Sequence, residues 1–324
     1  MRRLLQRFGP HRRAPVILMY HRIAAPTRDT WALSISPDRF RDQLSALRDR
    51  RTPVSMPALV DALDEGRATQ DAVALTFDDG YVDNFATAKP LLEAAEVPAT
   101  VYLATGWIDS ARPFWWDELE TALFGPESVH LDLTLAGRPV TLHLPQSLQP
   151  EPEDWRFGLR PRTPRQKAYV RLWTLLRNLS PEDRTQAMEA IRQQSVPLSK
   201  PEALPMTAAQ ASQLGSALVD VGAHGVTHAP MTTLAPDARR AEIEVSGREA
   251  ARLSLRQIDG FAYPHGDRDA LTLEMVRNAG YRYACSTVEV AVDPVRYNRF
   301  DLPRLMVQNW SGAELIARIE ALRP

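Results

Sequence analysis

Short apolar runs recur along this chain, each followed by an amphipathic stretch, and that alternation constrains the fold more than any other feature. Val16-Ile17-Leu18-Met19-Tyr20 and Ala72-Val73-Ala74-Leu75-Thr76-Phe77 are apolar on both faces, as strands are when helices cover them on either side. Between them, Ser36-Pro37-Asp38 opens a helix with a capping serine and a proline at its first position, and Phe40, Leu44 and Leu47 fall on one face. A helix over 84–96, interrupted at Pro90, and strands over 100–103, 218–221, 258–261 and 283–286 continue the rhythm. Ser311 and Glu314 make a capping box for a last helix. The pattern is that of an α/β fold built on a parallel sheet or barrel.

The rhythm breaks between 107 and 205, where proline and tryptophan are frequent. A β-hairpin is expected over 129–135 and 140–144 about a turn at Ala136-Gly137-Arg138-Pro139, followed by a helix near 164–179 and another opened by Ser180-Pro181-Glu182-Asp183. So long a segment is a structured insertion rather than a loop. The expected organisation is a basic tail over 1–13, a barrel made of 14–106 and 206–324, and an inserted cap or lid over 107–205.

With 39 basic and 40 acidic residues in 324, no global field draws the chain to nucleic acid. The amino terminus is basic but lacks the apolar run of about 7–15 residues that a signal peptide needs, and no stretch reaches the roughly 18 of a membrane span. The expectation is a cytoplasmic protein with at most a weak peripheral contact to an anionic membrane, its oligomeric state open. The single cysteine, Cys285, excludes an internal disulfide framework and reads as a small core residue.

Phe77-Asp78-Asp79-Gly80 closes the second expected strand, at the carboxyl end where ligands of parallel α/β folds collect. Far downstream, His224 and His228 stand four residues apart, and Gly222-Ala223 lets the first leave its strand without crowding. Asp79, His224 and His228 supply the three nitrogen and oxygen ligands of an open divalent-metal site, leaving Asp78 as a spare acid. Taken singly, the aspartates read as turn residues and the histidines as core or surface. A third segment, Ala262-Tyr263-Pro264-His265-Gly266, follows another strand at the same end.

Together these three segments resemble the polysaccharide deacetylase family, also called the NodB-homology family or carbohydrate esterase family 4. Leu18-Met19-Tyr20-His21-Arg22-Ile23 and Asp301-Leu302-Pro303-Arg304 are similar to the opening and closing segments of its members, so the resemblance covers 14–106 and 206–322. It implies a distorted (β/α)7 barrel with a metal at its top, Zn2+ first and Co2+, Ni2+ or Mn2+ as alternatives. By position, Asp78 becomes the general base, Asp79, His224 and His228 the ligands, and the His265 backbone N–H a donor to the oxyanion.

Three positions depart from the family pattern. Ala262 replaces the arginine that braces the base, which makes Arg304 the candidate partner of Asp78; Gly225 replaces a hydroxyl residue after the first metal histidine; and His265 replaces a tyrosine. No histidine follows His265, so the usual late general acid is missing, and His21 is the first candidate for it with His265 the second. Tyr20, Tyr81, Tyr263, Trp115 and Trp116 are candidate substrate contacts, Asp83-Asn84 a helix cap, and His130 and His143 residues of a solvated hairpin face. The expected activity is metal-dependent removal of an N-acyl group, chiefly acetyl, from an amino sugar or glycoconjugate in polysaccharide biosynthesis or modification. A deformylase or amidase on the same site, and a silent saccharide-binding protein, are the alternatives; a pure binder has no need of the spare Asp78.

Overall fold

A computed structural model of the chain describes residues 13–125, 127–147, 151–195 and 203–324. The tail expected over 1–13, His11 included, lies outside the described residues except for Arg13. Seven parallel strands form a curled sheet: β1 (Val16–Tyr20), β2 (Ala72–Phe77), β3 (Ala99–Leu103), β4 (Val219–Ala223), β5 (Gly260–Ala262), β6 (Tyr283–Cys285) and β7 (Leu305–Met306). Each strand from β2 to β6 lies beside its predecessor, and β7 returns to flank β1. The result is a distorted (β/α)7 barrel, the fold class that the alternation and the motifs imply. A short strand, Thr52–Pro53, pairs beside the start of β2.

Every residue of β1, β2 and β3 is buried, which is why these strands read as unbroken apolar runs. Registers Tyr20↔Phe77, Phe77↔Val101 and Leu103↔Ala223 bring the carboxyl ends to one rim. β6 and β7 share no ladder among the described residues. The chain entering β7 spans that gap instead: Leu302 bridges Cys285 on one side, and Leu305 and Met306 pair with Leu18 and Met19 on the other. Cys285 is a buried core residue, its thiol pushed up to about 11 by burial.

The helix Pro37–Arg50, capped by Ser36, packs on the last helix, Gly312–Ala321. Between β2 and β3 one helix was expected, but two segments occur: a π-helix, Asn84–Ala88, then an α-helix, Lys89–Ala95. Pro90 has no N–H for an α-helical bond to the preceding turn, and the wider turn comes just before it. Asp83 and Asn84 do not cap this segment with their side chains. Asp83 instead accepts from Arg22 Nε at 3.1 Å and Ile23 N–H at 2.9 Å, and Asn84 Nδ2 donates to the His21 carbonyl at 2.7 Å. A buried guanidinium took the carboxylate that the sequence offered to the helix.

From 107 to 205 the chain forms a helix Trp115–Phe124, a hairpin Val129–Leu135 with Arg138–Leu144, and helices Pro164–Arg177 and Pro181–Gln193. These enclose a second core around Leu119, Leu131, Tyr169, Leu172 and Ile191. The hairpin turn is shorter than expected: only Ala136 (φ 49°) and Gly137 (φ 73°) lie in it, while Arg138 and Pro139 already pair with Leu135 and Thr134. Two consecutive positive φ angles give the turn whose twist matches that of the flanking strands. His130 and His143 face each other across the hairpin and are exposed. Among the described residues no helix is long and apolar enough to cross a membrane.

Candidate metal centre and substrate cleft

Three residues at the barrel rim converge on one point. Asp79 follows β2 in a tight turn closed by Gly80 N–H to Asp78 O at 3.0 Å, with φ of 74° at Asp79 and 85° at Gly80. A Cβ at Gly80 would sit 2.8 Å from Leu103 Cδ2, so glycine is required for space as well as for backbone sign. His224 continues β4, its N–H bonded to Leu103 O at 2.9 Å, because the strand runs two residues beyond the expected 221. His228 closes the following loop at φ 55°. Left-handed backbone at Asp79, His228 and His265 is costly for residues with a Cβ.

Asp79 Oδ1 lies 3.4 Å from His224 Nε2 and 3.2 Å from His228 Nε2. One ligand atom from each residue falls within 4.8 Å of the others. The buried Asp79 Oδ1 accepts no hydrogen bond, and His224 is fixed in tautomer, since its Nδ1 donates to Ala262 O at 2.7 Å and leaves the Nε2 lone pair facing inward. An orphaned carboxylate oxygen beside two imidazole nitrogens fits a divalent cation in kind and number. Burial would raise the Asp79 carboxyl, but the flanking His228 and His224 overcome it and hold the group well below the usual range.

Asp78 is the counterpart, and its neighbours differ. Arg304, fully buried, donates from Nη1 and Nη2 to the two Asp78 oxygens, each at 2.7 Å. The same guanidinium is pinned by Ser286 O at 2.8 Å and Thr76 Oγ1 at 3.1 Å. Burial alone would raise the Asp78 carboxyl; the bidentate Arg304 outweighs it and keeps the group ionised. Thus one aspartate faces imidazoles and the other is locked to a cation, although they are adjacent in sequence.

A cleft of about 430 Å3 opens over this pair and is lined by His21, Trp116, Tyr263 and His265 together with the metal-site residues. Burial lowers the His21 imidazole, with Asp79 and Asp78 pulling it back up. His265 is driven well below the ordinary value by burial, His228 and Arg177, so it is neutral near pH 7. Four of the residues singled out from sequence do not line this cleft. Tyr20 points away because strand side chains alternate: Met19 and His21 face the cleft, while Tyr20 is buried against Phe77 at 5.1 Å and Phe40 at 5.4 Å. Tyr81 donates to Asp117 at 2.8 Å and accepts from Trp116 Nε1 at 2.8 Å, a support beneath Trp116 rather than a wall. Trp115 turns to a separate cavity beside Arg184, and Arg304 lies buried beneath Asp78. Tyr263 reaches the cleft with its ring only, since its hydroxyl donates to Phe300 O at 2.8 Å.

Other residues complete the wall: Trp173, one of the insertion's tryptophans, and Trp31 and Phe157, which the sequence did not announce. Trp31 stacks on Phe157 at 4.0 Å and meets Trp173 at 4.6 Å, and Trp173 lies 6.1 Å from His265. Arg177 and Glu289 add one charge of each sign. Behind the metal loop, the buried Glu242 accepts from Val226 N–H at 2.7 Å and from the Thr227 hydroxyl at 2.7 Å. This supplies the bracing that the departure at Gly225 put in question: the hydroxyl comes from Thr227, within the same motif. A Cβ at Gly225 (φ 73°) would stand 3.0 Å from Glu242 Oε2.

Residues 65–128 and 198–284 match the family model described as polysaccharide deacetylase. A stretch of 97 residues is 30% identical to the poly-β-1,6-N-acetyl-D-glucosamine N-deacetylase of Escherichia coli strain K12, covering 29% of this chain but only 14% of that protein. Among solved structures, the chain is similar to the Streptococcus pyogenes deacetylase PplD in complex with acetate (TM-score 0.61, 16% identity, 94% of this chain and 98% of that one). It is also similar to IcaB from Ammonifex degensii (TM-score 0.58, 17% identity, 95% and 97% covered). At these identities the solved structures bear on the fold.

Proposed function

From the match of residues 65–128 and 198–284 to the polysaccharide deacetylase model, we propose that the chain is a member of that family and hydrolyses the N-acetyl group of an amino sugar within a saccharide or glycoconjugate. The observation that carries this reading is the division of labour between adjacent carboxylates, Asp79 facing two imidazoles and Asp78 locked to Arg304. Asp79, His224 and His228 would hold a divalent ion, zinc first by its taste for this ligand set. Such an ion supplies Lewis acidity to the amide and makes water acidic enough to be a nucleophile near pH 7.

The protein's own groups do the rest. Asp78, kept ionised by Arg304, takes a proton from the attacking water. The His265 backbone N–H is a donor for the developing oxyanion. The leaving amine needs a proton, and His21 is the better source: burial lowers both cleft imidazoles, but Asp79 and Asp78 pull His21 back up, whereas His228 and Arg177 drive His265 further down. The aromatic wall of Trp31, Phe157, Trp173 and Trp116 offers flat faces to the C–H surface of a sugar ring.

The test is acetate release from a panel of N-acetylated saccharides, with bound metal measured in the same samples. Wild type releases acetate, and Asp78→Asn keeps its metal while losing about 10²–10⁴-fold in kcat. A wild type that binds metal yet releases acetate from no member of the panel overturns the assignment.

A further inference from the structure

The two metal-site histidines are oriented by different means. His224 is fixed through its own ring, Nδ1 donating to Ala262 O at 2.7 Å. His228 has no such bond: its Nδ1 is buried without a partner, its Nε2 faces Asp79 Oδ1 at 3.2 Å, and its ring otherwise meets Trp116 at 4.7 Å, His265 at 4.5 Å and His224 at 4.9 Å. Its aim must therefore come from the main chain that carries it, which turns through φ 55° at His228 itself. An L-residue held in that region stays there only if its surroundings over-determine it.

The loop before His228 is tied down group by group. Thr105 N–H donates to Gly225 O at 3.0 Å and Gly106 N–H to Val226 O at 2.9 Å. Glu242 takes the Val226 N–H at 2.7 Å and the Thr227 N–H at 3.0 Å. The last carbonyl, that of Thr227, belongs to the peptide that joins His228. It accepts from Arg184 Nη2 at 3.0 Å, with the longer contact of Trp107 Nε1 at 3.4 Å.

Arg184 belongs to the inserted helix Pro181–Gln193, yet it is 3% exposed and lies with its guanidinium 5.5 Å over the Trp115 ring. Burial costs it enough to bring it down to about 10. A cation is retained there at an energetic disadvantage, and its guanidinium donates a hydrogen bond to the peptide that joins His228. We propose that Arg184 is a positioning residue through which the insertion sets the aim of His228, so that the affinity and geometry of the metal centre depend on the inserted helix. This rests on the metal reading of Asp79, His224 and His228.

The test reads metal binding rather than turnover. Metal-stripped wild type, Arg184→Met and Arg184→Lys are titrated with Zn2+ against a chelating indicator and with Co2+ by visible absorption, and the unfolding of each metal-free protein is recorded. Outer-shell partners of metal ligands typically contribute about 10–100-fold in affinity, so Arg184→Met is expected to bind Zn2+ at least about tenfold more weakly, with an altered Co2+ spectrum. Arg184→Lys, which keeps one donor within reach of the carbonyl, recovers most of that loss. Should Arg184→Met not fold, Trp107→Phe, which removes the second donor to the same carbonyl, takes its place and is expected to weaken Zn2+ binding in the same direction by a smaller factor. Unchanged affinity and spectrum in the folded variant overturn the inference while sparing the metal centre. A wild type that binds neither ion overturns both.

Discussion

At the scale of single residues, the decisive fact is that Asp78 and Asp79 share a turn but not an environment. Asp78 depends on Arg304, and a buried carboxylate stripped of its cation is costly. Arg304→Met is expected to destabilise the fold by about 3–5 kcal/mol, read from urea unfolding. The carboxyl of Asp78 sits below its ordinary 3.8, so its contribution to stability is complete above that value and is lost as pH falls through the folded-state value. With Arg304 gone only burial remains, the carboxyl rises, and the acid limb of the kcat/KM profile moves to higher pH; a limb that stays in place refutes the bracing role. The candidate metal set was legible because Asp79 and His224 follow strand ends next to recognisable turn chemistry, and His228 stands four residues after His224. The pairing of Arg304 was reached by asking which cation remained once Ala262 could not serve. Trp31 and Phe157 gave no signal, since no local spacing joins them to each other or to Trp173, one of the tryptophans that mark the insertion.

At the scale of elements, strand alternation explains the clearest miss. Tyr20 ends a strand buried on both faces, and apolar runs of that kind do not reveal which residues face the cleft and which the helices. The helices of the insertion carry much of the aromatic wall. Trp173→Ala is expected to raise KM about tenfold and leave kcat within about twofold, because it removes binding contact shared by ground and transition states; a fall in kcat alone would place Trp173 in the chemistry instead. The helix Trp115–Phe124 also presents Glu120 to the segment around Thr30. Burial raises this carboxyl to about 7, with a Thr30 hydrogen bond opposing and Asp29 adding to the rise. A carboxyl raised from its ordinary 4.5 favours its protonated form in the folded state. Its contribution is therefore whole below that pH and lost as pH rises through about 7. Denaturant midpoints of wild type and Glu120→Gln at pH 5 and pH 8 test this: the wild type loses more stability across the interval than the variant.

At the scale of the whole molecule, barrel and insertion meet at the cleft, and a bound ion would tie segments from opposite ends of the sequence. Asp79 comes from the loop after β2, and both histidines from beyond β4. Metal added to about 100 times its dissociation constant is expected to stabilise the fold by about 2.7 kcal/mol, and Asp79→Ala to abolish that gain; calorimetric melting with and without a chelator measures it. The barrel order was legible because each strand is a separate apolar run followed by its helix. Its seam was not, because β7 is two residues long and carries no periodic signal.

That seam has a kinetic consequence. The same few residues that span the gap between β6 and β1 carry Arg304, so the barrel is fastened and Asp78 is kept ionised by one short segment with few ladder bonds. Segments of that kind open locally before the rest of a protein does. Each such opening would withdraw the guanidinium from Asp78 while β2 and β3 stay folded. On heating, activity is then expected to fade ahead of the global transition, and the amides of Leu302 and Val307 to exchange with solvent sooner than those at the centre of β2.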